Sequence, residues 1–224
     1  MPLSSVLGAS SVIKPGVCTS TTRPSVPYEG QLIYETDTDK VAAWNGSAWV
    51  YTHSSGLVYL TGATFTTVTS VSLPNNTFTS TYRNYKIMFQ ITAVTADADF
   101  TMRLRASGAD DSSAQYDYAF GGVYVSPATT SVSGSQLANA WVVGEQDASN
   151  VAYNLVLDVI APQVATRTFI NGSYSYVDKA NSVWTARFGS GFFRSTTQFD
   201  SLTFISSVAS SITGVYRVYG YTDS

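Results

Sequence analysis

Apolar and polar residues alternate one by one through most of this chain, and the alternation restarts at short intervals. Tyr85, Ile87, Phe89, Ile91 and Ala93 share one parity, against Lys86, Gln90 and Thr92 on the other. Phe100, Met102, Leu104 and Ala106 alternate with Thr101, Arg103 and Arg105, and Val151, Tyr153, Leu155, Leu157 and Val159 with Asn154 and Asp158. Weaker runs hold Phe65, Val71 and Leu73, then Ile170, Tyr174 and Tyr176, then Trp184, Ala186, Phe188 and Phe192. The last carry Leu202 and Phe204, then Ile212, Tyr216 and Val218. Side chains of a strand point to opposite faces in turn, so each run reads as a strand with one face buried. The pattern predicts about nine or ten strands beyond residue 56, separated by turn signals at Leu73-Pro74-Asn75-Asn76, Ala109-Asp110-Asp111-Ser112 and Asn171-Gly172. That count suits a two-sheet antiparallel sandwich, jelly-roll-like in topology.

Ahead of the sandwich lies a denser unit. Leu32 to Glu35 and Val41 to Trp44 flank an acidic turn, Thr36-Asp37-Thr38-Asp39, and Ala48 to Tyr51 follows an Asn45-Gly46 turn. Strands folded back on one another there set Trp44 and Trp49 on one apolar patch. A unit of this size hides too little surface to stand alone, so it must lean on a second domain, a copy of itself or another protein. Leu32, Ile33, Tyr34, Trp44, Trp49 and Tyr51 are therefore the candidate attachment residues. Residues 1–22 lack periodicity and hold Pro2, Pro15 and Gly16, which predicts an extended arm. The expected organisation is arm 1–22, small β attachment unit 23–55, and β-sandwich 56–224, with a linker at Thr52 to Gly56.

Composition supports an all-β chain. Fifteen Tyr, eleven Phe, 24 Val and 27 Thr stand against three Glu and four Lys. With a net charge of −3 and twelve basic residues, sequence-independent nucleic-acid binding has too little positive charge to neutralise phosphates. No apolar run approaches the ~20 residues of a membrane helix, and the first residues lack the apolar core of a secretory signal. Cys18 is alone, which excludes an intrachain disulfide. The sequons at Asn45, Asn75 and Asn171 carry little weight, two of them being Asn-Gly and better explained as hairpin turns.

Chemistry is hard to find in these residues. The lone histidine, His53, sits in a Ser/Thr/Gly linker with no frame to position it as a base. Cys18 has Val17 and Thr19 beside it, not the electropositive surroundings of a reactive thiol. Three carboxylate pairs suit glycan hydrolysis by spacing: Asp37 with Asp39, Asp97 with Asp99 at an expected hairpin, and Asp110 with Asp111. Each has a turn explanation as well. The Asp-x-Asp-x-Asp-Gly order of a calcium loop is absent. Neither a cofactor nor a metal is expected, and the chain reads as no enzyme. Tyr116, Tyr118, Phe120 and Tyr124 around Gly121-Gly122, and Tyr216, Tyr219 and Tyr221, read first as core or subunit interface and second as a sugar-stacking set.

The stretch from Arg23-Pro24 through Pro27-Tyr28-Glu29-Gly30-Gln31-Leu32-Ile33-Tyr34-Glu35-Thr36-Asp37-Thr38, closed by Trp44-Asn45-Gly46-Ser47-Ala48-Trp49-Val50, resembles a segment common in tailed-bacteriophage virion proteins. It is found especially in tail fibres and minor tail appendages. Tyr82-Arg83-Asn84-Tyr85-Lys86-Ile87 and Ile212-Thr213-Gly214-Val215-Tyr216-Arg217-Val218-Tyr219-Gly220 resemble, more diffusely, the β-sandwich that often follows it. The resemblance implies a virion structural protein, commonly a homotrimer, without cofactor or catalytic residues. Its N-terminal part would dock on other virion proteins while the sandwich faces outward toward a host-surface glycan. The chain has no fibrous shaft and no internal repeat, which favours a compact appendage or, as the alternative, a capsid decoration protein that cements the shell. A glycan depolymerase using Asp97, Asp99, Asp110 and Asp111 is the third reading.

Overall fold

The computed structural model describes residues 15–52, 56–125, 128–207 and 210–222. They form seventeen strands and no helix, so no helix is long and apolar enough to cross a membrane. The chain divides into two compact units at Ser55 and Gly56. Residues 1–14 of the expected arm, and His53 with most of the expected linker, lie outside the described residues.

The first unit is a four-stranded sheet in the order β1 (Gly16–Cys18), β2 (Leu32–Glu35), β3 (Lys40–Trp44) and β4 (Trp49–Tyr51). The three later strands fall where the alternation places them, and they form a meander. β1 corrects the reading of residues 1–22 as an arm throughout: it pairs with β2 in parallel, Val17 opposite Tyr34. Three residues show no measurable period, and a parallel partner fourteen residues downstream leaves no hairpin signal.

The second unit stacks an eight-stranded sheet on a five-stranded one. The large sheet runs β11 (Thr130–Ala138), β10 (Tyr116–Tyr124), β15 (Trp184–Phe193), β14 (Phe169–Val177), β13 (Tyr153–Ile160), β7 (Asn84–Val94), β17 (Ile212–Tyr221), β5 (Leu57–Val68). The small sheet runs β12 (Trp141–Gln146), β8 (Ala98–Ala106), β16 (Ser201–Ser206), β6 (Ser70–Ser72), with β9 (Ala109–Asp110) also on β8. This is an all-β sandwich of thirteen described strands. Its eight-to-five division departs from the eight strands in two Greek keys of a jelly roll.

The core lies between the sheets, where alternation sends it. Phe89 of β7 stacks on Phe204 of β16 with centroids 4.7 Å apart, and Phe100 of β8 meets Tyr153 of β13 edge-on at 4.6 Å. Tyr116 meets Trp141 at 5.0 Å and 90°. Such pairs add roughly 0.5–1.5 kcal/mol each beyond the area they bury. Buried tyrosines also tie the backbone through their hydroxyls: Tyr153 donates to the Val143 carbonyl of β12 at 2.7 Å, and Tyr85 to that of Thr79 in a loop at 2.7 Å.

Three local expectations are overturned. Asn171-Gly172 is no turn but the middle of β14, where Gly172 faces Leu157 and Gly189 on the two neighbouring strands. Residues 95–97 make no hairpin, because β7 and β8 belong to opposite sheets and the chain crosses between them. The apolar parity of β15 points out of the sandwich: Trp184 and Phe188 are exposed while Thr185 and Phe193 are buried.

Candidate attachment face and ligand groove

Register divides the candidate attachment residues between the two faces of the small sheet. Ile33 pairs with Ala42, Ala42 with Tyr51, and Trp44 with Trp49, so these five share one face. The indole rings meet edge-on at 5.6 Å, across a turn in which Asn45 Oδ1 accepts the N–H groups of Ser47 and Ala48 at 3.0 and 2.8 Å. Gly46 holds φ at 94°, a left-handed conformation that disfavours any side chain. Glu35 lies on the same face and is fully buried. It accepts from Arg23 Nε at 2.5 Å, Thr38 at 3.0 Å and the Tyr51 hydroxyl at 3.1 Å. The Arg23 hydrogen bond is the main cause holding its carboxyl below the usual range.

Leu32 and Tyr34 fall on the opposite face, with Val41, Ala43 and Val50 as cross-strand neighbours and Val17 added by β1. Val17 is 70% exposed, and Leu32 and Val50 are exposed as well. Among the described residues of this unit, only Ile33 and Ala42 are buried hydrophobics. The sheet thus has one tied-down face and one apolar face without cover of its own.

The carboxylate pairs serve turns and ion pairs. Asp37 accepts the Ser20 N–H at 2.8 Å, and Asp39 accepts the Tyr34 hydroxyl. Asp97 accepts the Ala148 N–H at 2.8 Å, while Asp99 binds Lys179 at 2.5 Å. Asp110 takes the Thr203 hydroxyl at 2.6 Å, and Asp111 caps the Ser113 N–H at 2.9 Å. Cys18 is a half-buried free thiol in β1. Among the described residues, no three His, Cys, Asp or Glu side chains gather as metal ligands.

The sequence offers no signal for Glu145, an isolated acid on β12. Burial first, then the neighbouring Asp178 carboxyl, pushes it up to about 7. Lys179 Nζ lies 3.7 Å from it. Burial also pushes Asp178 upward, but hydrogen bonds from Glu145 and from the Ala180 and Asn181 N–H groups hold it low.

The first tyrosine cluster shares one face of β10, and the pleat of β17 separates Tyr216 from Tyr219 and Tyr221. Tyr116, Phe120 and Tyr216 are buried core, whereas Tyr118, Tyr124, Tyr219 and Tyr221 are half-buried. No pattern in the sequence marks a groove on the outer face of the large sheet, of about 770 Å³, across β11, β10, β15 and β14. Its floor is one cross-strand row of small and polar residues, Ala119, Ser190 and Asn171, with Ser135 and Gln136 of β11 at the side. Beside it the next row holds Asp117, Phe192 and Phe169. The phenyl rings lie 6.0 Å apart, and the Arg167 guanidinium sits 5.5 Å over the ring of Phe192.

A bulge shapes the rim. Between Tyr116 and Tyr118 the register with β11 slips, and Leu137, at φ 54°, donates its N–H to Asp117 at 2.9 Å. Asp117 is clamped by Arg194, whose Nε reaches both its oxygens at 3.0 Å, which holds its carboxyl below the usual range. Arg167 donates Nε to the Arg194 carbonyl at 3.2 Å and has no carboxylate partner among the described residues. Aromatic faces, amides, hydroxyls and a cation without a salt bridge therefore line a single concavity. No family model, curated protein or solved structure matches the chain, so its function is argued from these surfaces.

Proposed function

We propose that this chain is a non-enzymatic bacteriophage virion structural protein, mounted on the particle through residues 15–52 and contacting the host surface through its β-sandwich. One observation carries the reading. A four-stranded sheet whose buried hydrophobics are Ile33 and Ala42 leaves Val17, Leu32 and Val50 open on its other face. A sheet this small gains too little from its own core, and contiguous exposed apolar surface of this kind marks an interaction site. The resemblance of residues 23–50 to virion segments supplies the partner class: other virion proteins, and sister copies in a homotrimer. The placement of Asp37, Asp39, Asp97, Asp99, Asp110 and Asp111 on turn and ion-pair partners supports a binding role over glycan hydrolysis.

Gold labelling of intact particles with antibodies against residues 56–222 tests the reading. Label confined to the tail, in a few dozen copies at most, is the expected result. Hundreds of copies over the shell, with particles lacking the protein fragile to heat, would make it a capsid decoration protein instead. Absence from purified particles would overturn both.

A further inference from the structure

The geometry points to the groove over β10, β15 and β14 as a binding site for a carboxylate-bearing saccharide, a ligand class that deepens the host-contact reading and rests on it. Phe169, itself exposed, and Phe192 present rings along one wall of a cavity large enough for a short oligosaccharide. Pyranose rings have apolar C–H faces that stack on aromatic faces, and hydroxyl rims that need donors and acceptors. Ser135, Gln136, Asn171 and Ser190 supply both kinds on the remaining sides.

Charge selects within that class. Asp117 is ion-paired with Arg194 and lies within Coulombic reach of Arg167, so two cations against one acid leave one net positive charge in the groove of a chain of net −3. The Nε bond to the Arg194 carbonyl and the Phe192 ring beneath hold that guanidinium in place. A planar guanidinium held this way matches a carboxylate in a bidentate manner.

The floor argues against a peptide. An extended peptide recognises a sheet by adding to a free edge. Here the floor is made by side chains of β10, β15 and β14, each paired on both sides. A ligand must read side chains, as a hydroxyl-rich saccharide does.

Calorimetric titration of the full chain decides the point, using trigalacturonate and its methyl ester, and 3′-sialyllactose and lactose. At least one acidic sugar is expected to bind with Kd on the order of 1 mM or tighter, and its neutral counterpart roughly tenfold more weakly. Arg167→Gln, at an exposed side chain, should erase that difference. Ser190→Tyr fills the floor from an exposed position and should abolish binding with the melting temperature unchanged. No binding by either acidic sugar would overturn the proposal. So would equal binding of the neutral partners, an unaffected R167Q, or preference for a glutamate-rich peptide. Particle labelling reads location independently. A virion-borne protein that ignores these sugars loses the groove alone, and a sugar-binding protein absent from particles loses the virion reading.

Discussion

Gly172 sits where β14 passes so close to β13 that a Cβ would meet the Val156 carbonyl oxygen and lie 3.0 Å from the Leu157 Cα. These are backbone atoms of the neighbouring strand, with little room to give way, so Gly172→Ala should cost about 1–3 kcal/mol, the usual penalty of overpacking. Urea unfolding of the variant measures it, and an unchanged midpoint would contradict the packing. Glu145 makes a second prediction, through pH. Its folded carboxyl titrates near 7 against an ordinary 4.5, so the native state holds a proton that the unfolded chain has released. That contribution is complete below about 4.5 and is lost as pH rises through about 7. Glu145→Gln keeps the side chain neutral throughout. It should outlast the parent protein above pH 7, by on the order of 1–3 kcal/mol, and match it near pH 4. Denaturant midpoints across that range check the sign.

Among elements, the small sheet is where local sequence and final structure agree best, and also where they part. The Asn45-Gly46 turn and the acidic turn before β3 are legible because each needs only its own few residues. β1 is not, because its pairing depends on a strand met later in the chain. The same limit hides the outward parity of β15: alternation assigns residues to two faces but does not say which face the sandwich covers. Glu35 gives the small sheet its own acid sensitivity. Its folded carboxyl lies below the usual value, mainly through Arg23, so its stabilising effect is present above about 4.5 and fades as pH falls through the folded value. Hydrogen exchange should show the amides of β2 and β3 losing protection on acidification, and Arg23→Ala should reproduce that loss severalfold at neutral pH. Protection unchanged in R23A would remove Arg23 from its supporting role.

For the whole molecule, the consequential pairing is that of β17, which lies between β7 and β5 and joins the last residues of the sandwich to its first. Ile212, Tyr216 and Val218 are buried there. Pairings across so much chain bear their loop-closure cost before any gain, so the sandwich should fold slowly and finish only once β17 is in place. Removal of residues 212–224 should leave a chain without a cooperative melting transition; a cooperative one would show that β17 is dispensable. The proposed homotrimer has an equally direct check. Light scattering on the full chain should give three times the 24.0 kDa chain mass, and a single chain mass would strike the trimer from the proposal.

Period-two alternation, few helix formers and the Asn45-Gly46 turn settle the all-β class, most strand positions of the sandwich and the meander of residues 32–51, since all depend on neighbours within a few residues. Sheet order, the inversion of β15, the place of β1 and the groove do not follow from them. Ala119, Asn171 and Ser190 become one row only when three strands from distant parts of the chain are hydrogen-bonded in register. Arg167 becomes the groove's surplus cation only once Arg194 has taken Asp117 as its ion-pair partner. Those relations belong to long-range pairing, which is set by the packing of both sheets together.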